Sequence, residues 1–139
     1  MKKIILIVAV VAFLGLMAFW QYFLKGYLLL PSVDRFVNSF YEQYNKNDFK
    51  YMYDILSHQK IRNKMDSFQF EGKMLETQKQ LGAVESKKRI LWKRQHTKGV
   101  TFFLVEYKVK RAKISSVDKF ILIKQKNDWF VYDYVVRAS

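Results

Sequence analysis

The spacing of hydrophobic and polar residues changes character twice along this chain. From Ile4 to Leu24, 21 residues pass without a charge, and Gln21 is the only strongly polar one among them. As an α-helix such a run is about 31 Å long, the thickness of a bilayer's hydrocarbon core. Lys2 and Lys3 precede it and Lys25 closes it. The pattern predicts one membrane-spanning helix over 4–24. Pro31, the sole proline, is expected to stop or bend that helix before a separate domain begins.

A second pattern follows, with helical spacing. Phe36, Val37, Phe40, Tyr41 and Tyr44 form a stripe that predicts a helix ending near Asn45, capped by Ser32 or Asp34. Asn45 to Asp48 reads as a turn, with Asp48 as the next cap. Phe49, Met52, Tyr53 and Leu56 then share one face of a second helix. Ser57 to Asp66 is a polar connector with room for a short helix. Phe68, Phe70, Met74, Leu75 and Leu81 predict a third helix from Ser67, stopped by Gly82.

After Gly82 the period becomes two. Val84 to His96 places Ile90 and Trp92 together, with Lys and Arg opposite. Phe103, Val105, Tyr107 and Val109 alternate through a strand from Val100 to Ala112. Val117 to Lys126 and Trp129 to Arg137 supply two more strands, joined by short turns at Lys113–Ser116 and Lys126–Asp128. Trp92, Tyr107, Phe120 and Trp129 are expected inside. Three helices before four antiparallel strands make an α+β fold. The organisation is then a transmembrane signal anchor over 1–30 and one domain over 31–139.

A cleaved signal peptide is the rival reading of the N-terminus. It would have an apolar stretch of about 7–15 residues and a small-x-small exit. The run here is longer, and Ala18 leads into Phe19 and Trp20. The chain has no cysteine, so it has neither a lipid attachment site nor a disulfide. Trp20, Tyr22 and Tyr27 sit near the far end, where amphipathic rings favour the interface. The short basic flank at Lys2 and Lys3 stays cytoplasmic, while a long domain translocates largely regardless of its charge. The expected placement is a bacterial cell membrane, single-pass, with the domain extracytoplasmic.

Charge adds a surface property. Three of the 25 basic residues belong to the anchor, leaving 22 against all 12 acidic ones, a surplus of ten on the domain. That balance favours anionic partners such as lipid head groups or wall polymers, or simply a solvated surface. Lys87, Arg89 and Lys93 share strand parity, as do Lys108 and Lys110, so neighbouring strands are expected to merge them into one basic face. Lysine outnumbers arginine there, which suits diffuse attraction more than bidentate recognition. Stacking on nucleic-acid bases needs exposed aromatics, whereas Trp92, Phe103, Tyr107 and Trp129 have core spacing, so nucleic acid is disfavoured.

Catalytic signals are absent from the sequence. His58 and His96 lie far apart, with no second histidine or cysteine at metal spacing. There is no glycine-rich phosphate loop and no nucleophile elbow. Neither a cofactor nor a metal is expected.

The succession of elements resembles the nuclear-transport-factor-2-like superfamily, including small membrane-anchored bacterial families of unknown function. The residues that carry the likeness are Phe40 and Tyr44, Asn47 to Tyr51, Leu56-Ser57, Gly82, Gly99 and the closing run Asp128 to Tyr134. It covers roughly 33–137. The resemblance implies a cone of about three helices packed on a curved four-stranded antiparallel sheet. Enzymes of that superfamily pair an acid or histidine with a tyrosine inside the cone, which implies Tyr53, Asp54 and Tyr107 as pocket candidates. The expected function is a non-catalytic accessory or docking module of a bacterial envelope assembly, of secretion, conjugation or pilus type. A small-ligand or isomerase-like pocket is the alternative. Electrostatic binding of an anionic wall polymer or DNA is the third reading.

Overall fold

In the computed structural model, which describes residues 1–139, helix α1 runs from Lys2 to Asn45. Two compact units divide the chain, Met1–Asp34 and Arg35–Ser139. The first unit is the helix that is long and apolar enough to cross a membrane. Its apolar side chains from Ile4 to Leu24 are exposed.

Pro31 does not end the helix: of the stop or bend expected there, the stop does not occur. A proline inside a helix removes one donor, leaving a carbonyl one turn back without its usual partner. The donor lost is the one that would reach the Tyr27 carbonyl, and beside it the Ser32 hydroxyl donates to the Leu29 carbonyl at 2.7 Å, a bond additional to the backbone ladder. Ser32 and Asp34 therefore lie mid-helix and cap nothing.

The second unit begins with the rest of α1. Asp48 then caps α2 (Phe49–Tyr51) by accepting from the Tyr51 amide. The helix widens at once into a π-helical turn, Met52–Leu56. The Ser57 hydroxyl closes that turn by donating to the Met52 carbonyl at 2.8 Å. The polar connector contains its own helix, α3 (Gln59–Lys64), whose cap is the His58 imidazole accepting from the Lys60 amide. Helix α4 (Ser67–Leu81) starts with a reciprocal capping box between Asp66 and Gln69. Gly82 ends it at φ 86°, with the Ala112 Cβ only 2.8 Å from where a side chain would begin. A glycine is required there both by conformation and by space.

The sheet runs β1 (Val84–Thr97), β2 (Val100–Arg111), β3 (Ser116–Gln125) and β4 (Asp128–Ala138), in that spatial order and antiparallel throughout. Two of its turns have only two residues, Lys98-Gly99 and Lys126-Asn127, all four with positive φ. Such turns match the right-handed twist of the strands they join. Ser57 adds a parallel bridge to the β4 edge at Val131, and the His58 amide donates to the Val131 carbonyl.

The inner face of the sheet carries Phe103, Val105, Tyr107, Phe120 and Leu122, all buried. Phe40 of α1 meets Phe120 edge-on at 5.2 Å and Tyr134 at 5.1 Å. These edge-to-face contacts suit the ring quadrupoles and fill the interior with aromatic carbon. Tyr107, Phe120 and Trp129 are buried as their alternation predicts. Trp92 is only half-buried, stacked flat on Phe103 at 5.6 Å. Ile90 does not share its face. The register slips between Arg89 and Leu91, and Ile90 sits in that bulge, half exposed. One extra residue reverses the parity of everything beyond it.

Replacing Trp129 by alanine should cost about 3–5 kcal/mol, the usual loss for a buried large aromatic. Urea unfolding of the variant measures it. A midpoint equal to the parent's would mean that Trp129 contributes nothing to the core.

Candidate functional site

A four-residue loop between β2 and β3 returns the chain so that the last residue of β2 faces the first residues of β3. Arg111 is thereby set beside Ser116 and Asp118, all buried. The Arg111 Nη2 lies 2.6 Å from the Asp118 Oδ2, and its Nε donates to the Ser116 hydroxyl at 2.9 Å. Ser116 donates in turn to the Asp118 Oδ1 at 2.7 Å. Tyr41 from α1 and Tyr134 from β4 both donate to the Asp118 Oδ2, at 2.6 and 2.7 Å. The guanidinium also faces the rings of Tyr44 at 5.2 Å and Tyr41 at 6.0 Å. Both carboxylate oxygens are thus engaged, and the unbonded Arg111 Nη1 belongs to a cation flanked by aromatic faces.

Burial raises the Tyr41 hydroxyl well above its ordinary value, and Tyr134 and Asp118 push it further the same way. Tyr134 is raised too, first by burial and then by Asp118. Burial pulls Arg111 down, but Tyr134 and Asp118 outweigh it and leave its pKa raised. At neutral pH the cluster therefore holds two neutral phenols as donors and a charged arginine. Its geometry clamps α1 to three strands.

The three pocket candidates from sequence occupy different settings. Tyr53, in the π-helical turn, donates to the Met65 carbonyl at 2.7 Å and packs on Phe70. Asp54 is exposed and pairs with Lys50 at 2.9 Å. Tyr107 is buried on the inner sheet face, 6.1 Å from Phe120, with the Lys87 ammonium 4.7 Å above its ring. His58 caps α3 against the Tyr132 ring, and burial lowers its pKa, helped by Arg62 and Lys60. His96 lies by the Thr101 hydroxyl at 2.9 Å. No three His, Cys, Asp or Glu side chains gather as a metal site would require.

The expected single basic face is divided by the β1 bulge. Lys87 pairs with Val109 and Arg89 with Tyr107, so both belong to the inner side. Beyond the bulge Lys93 pairs with Leu104, which puts it on the outer side with Lys108 and Lys110. Lys88, directly opposite Lys108, joins that outer group. The same outer side carries a shallow depression of about 330 Å³, with a floor of Phe102, Leu104 and Ile121 and a rim of Lys93, Gln95 and Thr97. A second groove, of about 460 Å³, runs between Asn38, Tyr41 and Asn45 of α1 and Val84 to Lys87 of β1.

Sequence reasoning passed over Arg111, Asp118, Ser116, Tyr41 and Tyr134 as a group. A signal was present. Arg111 continues the inward series Phe103, Val105, Tyr107, Val109, and Asp118 precedes Phe120 and Leu122 in the same parity. A charge at an inward strand position requires a partner.

No family model matches the chain, and no curated protein or solved structure matches it.

Two measurements test the cluster. Asp118→Asn leaves Arg111 buried beside a neutral side chain and should cost about 3–5 kcal/mol in chemical unfolding. The alkaline limb of stability is the second. Tyr41 and Tyr134 have folded pKa values above the ordinary 10.0. The unfolded chain therefore releases its phenol protons first, and stability, intact below about pH 10, should fall as pH rises beyond it. Tyr41→Phe together with Tyr134→Phe should flatten that limb. A limb as steep as the parent's would assign the titration elsewhere.

Proposed function

We propose that this chain is a membrane-anchored, non-catalytic docking module of a bacterial envelope assembly. In this reading the 4–24 segment spans the membrane, the N-terminus stays cytoplasmic, and the remaining domain acts outside. The domain is read as a cone of the nuclear-transport-factor-2-like kind. The observation that carries the proposal is the filled interior. Phe40, Tyr44, Met52, Phe103, Tyr107 and Phe120 are buried where a ligand or substrate would enter such a cone. The one buried ionisable cluster has its carboxylate fully hydrogen-bonded. Small-molecule sites instead need an apolar cavity with free polar groups converging in it.

The outer side of the sheet is the docking surface in this proposal. It combines the apolar floor of Phe102, Leu104 and Ile121 with a polar and basic rim. An apolar centre with a polar border is how protein interfaces are built. The basic surplus of ten over the domain supports partners or surfaces of negative charge.

Two experiments follow. A cysteine in place of Ser139 should react with an impermeant thiol reagent in intact cells. Labelling only after lysis overturns the topology. Leu104→Asp with Ile121→Asp should leave far-UV circular dichroism unchanged, abolish co-purification of envelope proteins from detergent-solubilised membranes, and reproduce the phenotype of a deletion. Asp54→Asn and Tyr107→Phe should leave that phenotype at the parental level. If those two variants lose function while the sheet-face variant keeps it, the docking reading fails and the catalytic one replaces it.

A further inference from the structure

The end of the sheet nearest the β2–β3 loop has an electrostatic conflict of its own. Lys88 of β1 and Lys108 of β2 are direct cross-strand partners. Side chains so paired start about 4.5–5.5 Å apart, and like charges there destabilise the sheet. Lys110 lies two residues further on the same side, opposite Ser86. Against these three ammonium groups stands the ion pair of Lys110 with Glu85, long at 3.7 Å and exposed on both sides. The neighbouring lysines fare differently. Lys87 turns inward onto the Tyr107 ring, and Lys93 borders the apolar depression beyond the bulge. Between the strands and the loop lies a concavity of about 320 Å³, lined by Ser86, Lys88, Lys108, Lys110 and Ser115 together with Val109 and Lys87, whose ammonium lies over the Tyr107 ring.

We infer that this concavity is a binding site for a phosphate group, held by Lys88, Lys108 and Lys110 with the serine hydroxyls as further donors. An anion seated there supplies the countercharge that the strand pairing lacks. Three lysines converging on one hollow suit phosphate better than carboxylate, because each ammonium acts as a freely orienting point charge toward a multiply charged group. The phosphate arrives either as a lipid head group or on a free oligophosphate, and the chemistry of recognition is the same. The inference deepens the docking proposal by assigning an anion to one part of the outer side, yet it does not depend on the chain's having a protein partner. It also divides the residues that sequence parity grouped: Lys108 and Lys110 bind, joined by Lys88, which that parity left out, and Lys93 does not.

The test uses the full chain, solubilised in a neutral detergent, with inorganic tripolyphosphate as one probe. Vesicles of phosphatidylcholine with and without phosphatidylglycerol, carrying the chain reconstituted through its own apolar helix, are the other, and the melting temperature of the domain in each is the readout. Each lysine near an anionic surface is worth about fivefold in affinity, so Lys88→Gln with Lys108→Gln should weaken binding about 25-fold. Lys93→Gln should change it by less than about twofold. Tripolyphosphate should raise the melting temperature of the parent and of Lys93→Gln, and not that of the double variant. Tm of the unliganded double variant should match or exceed the parent's, because the like-charge pair is gone. Binding of tripolyphosphate identifies a free oligophosphate as sufficient. Binding only to the phosphatidylglycerol vesicles identifies the head group. Either result supports the site if the double variant loses it. No binding to either probe overturns the inference, and so does a loss for Lys93→Gln equal to that of the double variant, which would mean diffuse attraction without a site. A docking phenotype that survives Lys88→Gln with Lys108→Gln leaves the docking proposal standing and removes only the phosphate.

Discussion

The domain depends on one buried ion pair. Arg111 and Asp118 have lost all contact with water, and their charges are tolerable only because Ser116, Tyr41 and Tyr134 supply the remaining hydrogen bonds. Removing charges from water is costly, and geometry this complete is what offsets the cost. The pair joins β2 to β3, Tyr134 brings in β4, and Tyr41 brings in α1. Every element touching the cluster must therefore be in register before the cluster can close. A slip of one residue in β2 or β3 would turn Arg111 or Asp118 to the outer side and strand the other. Buried polar networks of this kind have been linked with conformational specificity more than with raw stability, and the placement here is consistent with that role.

Aromatic carbon fills the space around the cluster. Phe40, Phe120 and Tyr134 meet at centroid distances of 4.6 to 5.2 Å, close to the ion pair and on its dry side. The same packing shields the charges. The outward-pointing positions of β1 and β2 form a second surface. There the β1 bulge at Ile90 decides what the surface looks like. It turns Lys87 and Arg89 one way and Lys93 the other, and so leaves two distinct features. One is an apolar hollow near Leu104; the other is a lysine-lined hollow near Lys108. A regular strand would have merged them into one diffuse basic stripe.

Much of this was legible in the residues. The uncharged run from Ile4 to Leu24, the Asp48 cap, the stop at Gly82, the turn at Lys126–Asp128 and the inward series Phe103 to Val109 are local signals. Each is set by propensity, capping or alternation within a few residues, and each is present in the structure. The α+β order of helices before an antiparallel sheet follows from them. Pro31 does not stop α1, because a proline removes one donor while the backbone bonds on either side of it continue.

What the tertiary structure alone decided concerns register and meeting. Alternation assigns each strand two faces, but a single unpaired residue exchanges them, and nothing around Ile90 in the sequence announces the bulge. The basic residues of β1 were divided by that slip. The closed cluster was likewise invisible as a cluster, since Tyr41 and Asp118 are 77 positions apart and are brought within 2.6 Å only when the helix lies across the sheet. Sequence determined which elements form and which side chains are apolar, because those depend on local backbone energetics and on the hydrophobic effect. Which charges meet, and which face they share, depends on long-range pairing, where one residue of register outweighs every local preference.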